Sequence, residues 1–210
     1  MRLVGMLDSP YVRRVAITCD CLGVAFVHEP LSVFTTFEAF QRINPVVKAP
    51  TLVCDDGEAM MDSSLILQFV EATCSHGRTL WPADARERQH DFRAVSLALA
   101  ACEKSVQIVY ECNLRPPEAR YAPWLTRVQG QMRAGFAALE HEVAARPHAF
   151  AGASHASITA AVVWQFVQSQ PAASVHVAGH PALRALSARM EQLPVFLKYP
   201  PAGPGVPAAD

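Results

Sequence analysis

The 210-residue sequence has no block of basic residues, no apolar run long enough to cross a membrane, no Cys-x-x-Cys pair and no internal repeat. Each absence removes a class of function. With 18 Lys and Arg against 19 Asp and Glu, and a net charge of −1, the chain offers nucleic acid or an anionic membrane no cationic face. Hydrophobic residues make up 51% of the chain, but Arg, Glu, Gln or Pro interrupt every apolar stretch, so no membrane partner is expected. The opening Met1–Asp8 stretch meets an acid too soon for a signal peptide, and the expected location is the cytoplasm. Six cysteines in a chain of this length without an export signal read as reduced thiols. Cys19 shares one helical face with Val12, Val15, Ala16 and Leu22, which makes it a core residue. His176 and His180 are four apart, yet Gly179 and Pro181 break the helix that a metal pair would need, so no metal is expected.

What is present is an ordered series of short elements. Arg2 to Leu7 reads as a buried strand, and Ser9-Pro10 is a helix start, with serine as N-cap and proline at the first helical position. That helix runs to Leu22 and closes at Gly23. Ala25 to Glu29 follows as a strand parallel to the first, as a right-handed crossover requires. Phe34 to Arg42 is apolar and irregular, compatible with a short helix. A strand then opens at Pro50, turns through Asp55-Asp56-Gly57, returns as Glu58 to Met61 and leads into a helix over Ser64 to Thr73. The order βαβ-ββα is that of a thioredoxin-like domain.

His76 to Pro82 reads as a linker, with Leu80 and Trp81 as apolar anchors. Beyond it strands stop. Helices are expected over Asp84 to Cys112, Glu118 to Ala145, Ile158 to Gln168 with its cap at Ser154, and Pro181 to Leu193. The tail from Pro200 to Asp210 carries four prolines and reads as disordered. The chain therefore divides into residues 1–77, an α/β domain, and residues 84–200, an all-α domain.

One stretch carries most information: Asn44-Pro45-Val46-Val47-Lys48-Ala49-Pro50-Thr51-Leu52, followed by Asp62-Ser63 at a helix start. It resembles the glutathione transferase superfamily, in which an Asn-Pro-x-x-Lys-x-Pro-x-Leu segment with a cis proline precedes an acid-Ser pair. Asn44, Pro45, Lys48, Pro50 and Leu52 match, Asp62 stands where Glu is usual, and Val47 where Gly is common. A second departure lies in the helical half, where Ser157 replaces the family's Asp in the cap box of Ser154 and should weaken it. The resemblance covers nearly the whole chain and implies a thioredoxin-like N-terminal domain, an all-α C-terminal domain and a homodimer. In such dimers the N-terminal domain of one subunit packs on the C-terminal domain of the other.

It also implies a set of site residues, each with a plainer role. Ser9 is placed to face the glutathione sulfur, where an O–H donor at the positive end of a helix favours thiolate over thiol, but by itself it is an ordinary N-cap. Ala49, held by cis Pro50, would pair its backbone with the cysteinyl backbone of glutathione. Asp62 would take the γ-glutamyl ammonium and Ser63 its carboxylate, though the two also make a helix cap. Lys48 would reach the glycyl carboxylate, against a default of solvent. A pocket for a small hydrophobic electrophile would lie between the domains at Tyr11, Val106 and Tyr110, residues whose simpler role is packing.

The function implied is attack of glutathione thiolate on a small apolar electrophile, with glutathione as co-substrate. Two other readings stand beside it. A glutathione-dependent reductase would need cysteine where Ser9 stands, to hold a mixed disulfide. A non-catalytic binding protein would use the same scaffold without chemistry.

Overall fold

The computed structural model describes residues 1–208. Two compact units appear: Met1–Leu80 together with Leu193–Gly205, and Trp81–Gln192 together with the chain from Val206.

The first unit contains β1 (Arg2–Val4), α1 (Pro10–Leu22), β2 (Val27–Glu29), α2 (Phe37–Ile43), β3 (Thr51–Val53), β4 (Ala59–Met61) and α3 (Ser63–Thr73). The sheet order is β2-β1-β3-β4, with β1 parallel to β2 and antiparallel to β3, and β3 antiparallel to β4. Leu3 sits opposite His28 on one side and Leu52 on the other, so β1 and β3 form the buried centre. Its edges are wetter: Val27 on β2 is 64% exposed, and β4 is only half-buried. This is the thioredoxin-like arrangement that the element order implied.

Strand β1 is shorter than its apolar run, because Gly5 leaves the sheet at φ 140° and a turn from Met6 to Ser9 follows. A β-carbon at Gly5 would fall 2.6 Å from a methyl of Val12 and 3.1 Å from Ala49, so only glycine lets β1, α1 and the loop before β3 meet here. Helix α1 is the axis of the unit. All of it except Tyr11, Asp20 and Cys21 is buried, including Arg13 and Arg14, and Leu3, Val12, Val15, Ala16, Leu22, Leu52, Ile66 and Val70 pack into one cluster around it. Burying each such aliphatic side chain contributes about 1.5–3 kcal/mol.

The second unit is helical: α4 (Ala85–Asn113), α5 (Ala122–Ala145), α6 (His155–Ser169) and α7 (Pro181–Met190). In α6 only Gln165, Gln168 and Ser169 escape burial, which makes it the core helix. The cap box there is closed rather than weakened. Ser157 N–H donates to Ser154 Oγ at 3.1 Å and Ser154 N–H donates to Ser157 Oγ at 2.8 Å, so a short hydroxyl does what an acid was expected to do. The helix expected from Glu118 starts instead as a 3-10 turn, Pro117–Ala119, and α5 begins at Ala122 with a proline in its first turn. Of the two linker anchors, Leu80 packs on the first unit's core and Trp81 stacks on Phe92 and His155 in the second.

The C-terminal segment departs most from expectation. The helix expected to reach Leu193 ends at Met190, and a further short helix, α8 (Pro194–Lys198), joins the first unit. Residues 200–205, expected to be disordered, lie against the start of α1: Asp8 N–H donates to Ala202 O, and Gly205 N–H donates to Asp8 Oδ2. Proline content suppresses helix and strand without preventing docking of an extended chain. Ala209 and Asp210, the last residues of that expected tail, lie outside the described residues.

Candidate functional site

Within the first unit, α1 starts at Ser9 and meets the start of α3 through Arg14. Ser9 is the N-cap of α1, in extended conformation with φ −73° and ψ 120°. Its Oγ accepts from Val12 N–H at 3.5 Å, at the outer limit of a hydrogen bond. The cap is thus a loose one, and the hydroxyl proton is not used by it.

One turn further along α1, Arg14 is 2% exposed and its Nη1 donates to Ser63 Oγ at 3.0 Å and Ser64 Oγ at 3.2 Å. A guanidinium does not deprotonate in a protein, so a fixed positive charge stands under the N-terminus of α3, adding to that helix's own positive end. Ser63 is itself 5% exposed. This arrangement suits a carboxylate, and Arg14 is a member of the candidate site that sequence reasoning missed. The signal was available: two adjacent arginines inside an otherwise apolar helix.

Asp62 precedes this pair at φ 75° and ψ 119°. Its Oδ1 accepts from Ser64 N–H at 2.8 Å and Leu65 N–H at 3.3 Å, so one oxygen caps α3 while Oδ2 is turned to other work. The cap therefore uses one of the two carboxylate oxygens.

The loop before β3 is built by Asn44. Buried at 4% exposure, it donates through Nδ2 to Thr51 Oγ1 at 2.8 Å and accepts at Oδ1 from Val46 N–H at 3.0 Å. Thr51 Oγ1 in turn donates to Lys48 O at 2.8 Å. The loop ends in a cis Ala49-Pro50 peptide, with Pro50 buried and Ala49 half-buried. Val47, where glycine is common among relatives of this motif, adopts φ 52°, the left-handed conformation a glycine would take without penalty. Lys48 is exposed.

Ser9, Ala49, Pro50, Asp62 and Ser63 all belong to the first unit, and Ser9 and Ser63 are linked through α1 by Arg14. Tyr11 is half-buried on α1, while Val106 and Tyr110 sit on α4 of the second unit, half-buried and 40% exposed respectively. Burial raises the pKa of Tyr110, so its hydroxyl holds its proton more firmly than a free phenol does. Among the described residues no group of three His, Cys, Asp or Glu could hold a metal ion, and no helix is long and apolar enough to cross a membrane.

Residues 3–76 match the glutathione S-transferase N-terminal domain family. An uncharacterised GST-like protein of Escherichia coli, YibF, is 32% identical over 71 residues, which span 34% of this chain and 35% of that protein. The chain thus aligns with about a third of that curated relative's length. Similarity to solved structures runs further. A glutathione S-transferase of Methylobacterium radiotolerans, in complex with glutathione sulfonate, has a TM-score of 0.85 and 27% identity over 100% of this chain and 95% of its own. A glutathione transferase family member of Pseudomonas fluorescens, with bound S-(propanoic acid)-glutathione, has a TM-score of 0.79 and 28% identity, covering 97% of this chain and 100% of that one. With its thioredoxin-like sheet, its cis proline before β3, its acid-Ser start to α3 and its helical second unit, the chain has the architecture of the glutathione transferase superfamily, and its residues 3–76 belong to that superfamily's N-terminal domain family.

Proposed function

We propose that the protein is a glutathione S-transferase that adds the glutathione thiolate to a small apolar electrophile. The observation that carries this reading is the loose cap at Ser9: a hydroxyl at a helix N-terminus whose proton the fold leaves unspent. The hydroxyl donates to the glutathione sulfur, the positive end of α1 favours the anion, and the thiol proton leaves to solvent. The sulfur lone pair then forms the new C–S bond, and the electrophile's leaving group or π-electron pair takes up the displaced charge. Ala49 pairs with the cysteinyl backbone, Ser63 and the N-terminus of α3 take the γ-glutamyl carboxylate, Asp62 Oδ2 takes the ammonium, and Lys48 the glycyl carboxylate. Tyr11, Val106 and Tyr110 line the electrophile's site. The bound forms of the two bacterial structural relatives support glutathione as the ligand. In the assembled protein a homodimer covers large exposed apolar side chains, Leu65 at 60% and Phe92 at 54% exposure, and light scattering at micromolar concentration measures it.

Substitution of Ser9 tests the chemistry. Asparagine and aspartate both cap helices, but only asparagine donates a hydrogen bond, and aspartate sets a negative charge against the thiolate. Ser9→Asp should keep the fold and lose the thiolate ultraviolet absorbance of bound glutathione at neutral pH. Unchanged absorbance would reduce Ser9 to a cap. Efficient reduction of glutathione mixed disulfides by the protein with Ser9 in place would instead favour the reductase.

A further inference from the structure

The residue before Ser9 is held from the far end of the chain. Asp8 N–H donates to Ala202 O at 3.1 Å, and Gly205 N–H donates to Asp8 Oδ2 at 2.8 Å. Backbone and side chain of one residue are thus gripped by one strap. The fit is close: a β-carbon on Gly203 would fall 2.1 Å from Asp8 Oδ2 and 2.2 Å from its Cγ. Those atoms belong to the carboxyl that accepts from Gly205, so a side chain at 203 would have to displace it from that bond. The strap is also anchored behind the grip. Arg13, 1% exposed, donates through Nε to Tyr199 O at 2.7 Å and lies over the buried Phe196 ring at 5.4 Å, while Tyr199 stacks on Phe26 at 5.8 Å. Released at Asp8, the strap would still be tethered along α1.

We propose that residues 202–205 are a working part of the site: by gripping Asp8 they hold the turn that presents the Ser9 hydroxyl, so that activation of the glutathione thiol depends on the C-terminal strap. The inference rests on the thiol-activating role given to Ser9 above. Its physical basis is that Ser9 does not fix itself. The cap bond to Val12 is stretched to 3.5 Å, and the turn bond from Ser9 N–H to Met6 O is 3.2 Å long. A hydroxyl on a turn free to move meets the sulfur for only part of the time, and a donor that must be ordered at the moment of need is worth less than one already in place. Asp8, Gly203 and Gly205 are therefore positioning residues. Burial raises the pKa of the Asp8 carboxyl, against the backbone hydrogen bond from Gly205, which lowers it.

The test separates grip from charge. Asp8→Ala and Asp8→Asn both remove the carboxylate, which taken alone would favour a nearby thiolate. Only asparagine keeps an oxygen that can accept from Gly205. The full-length protein with bound glutathione is titrated by its thiolate ultraviolet absorbance, and calorimetry gives glutathione affinity. At a fixed pH below the thiol's pKa, Asp8→Ala should show about tenfold less thiolate than Asp8→Asn, with affinities within about a factor of two. Gly203→Ala should resemble Asp8→Ala; should it not fold, the Asp8 pair decides alone. Equal thiolate in Asp8→Ala and Asp8→Asn, with glutathione bound by both, would overturn the strap's role and leave Ser9 untouched. A parent protein that binds glutathione without forming thiolate would overturn the Ser9 reading and this inference with it.

Discussion

The two units handle conformational and electrostatic cost in different places. Among the described residues, the non-glycine positions with left-handed φ are Val47, Asp62 and His76, and all lie in the first unit, two of them in the candidate site. The helical unit has none, and its anomaly is electrostatic: Asp91 on α4 is 1% exposed, and burial raises its pKa against the charge of Arg146 and a weak hydrogen bond with Ser154. The first unit buries charge too, but Arg14 is met by Ser63 and Ser64. Backbone strain together with a partnered buried charge distinguishes the first unit, which carries the candidate site. A regular backbone with a carboxyl whose pKa is raised by burial distinguishes the second.

Removing Arg14 should break this contrast most severely. Arg14→Met leaves two serine hydroxyls without their donor and the N-terminus of α3 without its fixed charge. We expect a loss of about 3 kcal/mol in stability, read by denaturant unfolding, and weaker glutathione binding by calorimetry. Ser63→Ala should cost less, about 1–2 kcal/mol of glutathione affinity with the fold intact, since the carboxylate keeps the helix end. Unchanged affinity in Ser63→Ala would remove the carboxylate from this position.

Asp91 should behave in the opposite sense. Burial raises its pKa, opposed by the charge of Arg146 and more weakly by His155, while Glu87 adds to the rise. A folded-state pKa above the unfolded value means that Asp91 contributes stability at acid pH, below its unfolded pKa, and loses it as pH rises through the folded pKa. Asp91→Asn does not titrate, so it should gain on the parent protein as pH rises from the ordinary carboxylate range toward neutral, by about 1 kcal/mol at pH 7. Thermal unfolding of both proteins across that range measures the difference; parallel curves would mean that Asp91 finds a charge partner in solution.

Val47→Gly sharpens the first half of the comparison. Relief of the left-handed penalty outweighs the added freedom of glycine in the unfolded chain by a small margin, a gain of about 0.5 kcal/mol in denaturant unfolding. A loss would mean that the β-branched side chain repays its own strain through packing on Phe40 and its neighbours. The smallest effect is expected at Cys19, whose pKa burial pushes up to about 12. Iodoacetamide at mildly alkaline pH should leave Cys19 unmodified in the native protein, as read by mass spectrometry, and label it only after unfolding.

The fold was legible because its signals were local. Ser9-Pro10 and Gly23 bracket α1, and Asn44 through Leu52 with Asp62-Ser63 bracket the site, each through chemistry that acts within a few residues. What stayed hidden depends on contacts distant in sequence. Arg14 reads as a solvent-facing arginine until Ser63, 49 residues on, is seen to receive it. The prolines from Pro200 onward read as disorder because nothing near them says that Asp8 is waiting. Asp91 sits within a helical pattern that tolerates an acid on its outer face, and only packing shows that the face is inner.

The strap also sets an order in time. Asp8 leaves the ribosome 197 residues ahead of Gly205. At about 5–20 residues per second the first unit has roughly 10–40 s in which its sheet and α1 can form while the turn at Ser9 is ungripped. On the role proposed for Ser9, a first unit that has folded at this stage still lacks the grip on Asp8 that would hold the hydroxyl in place.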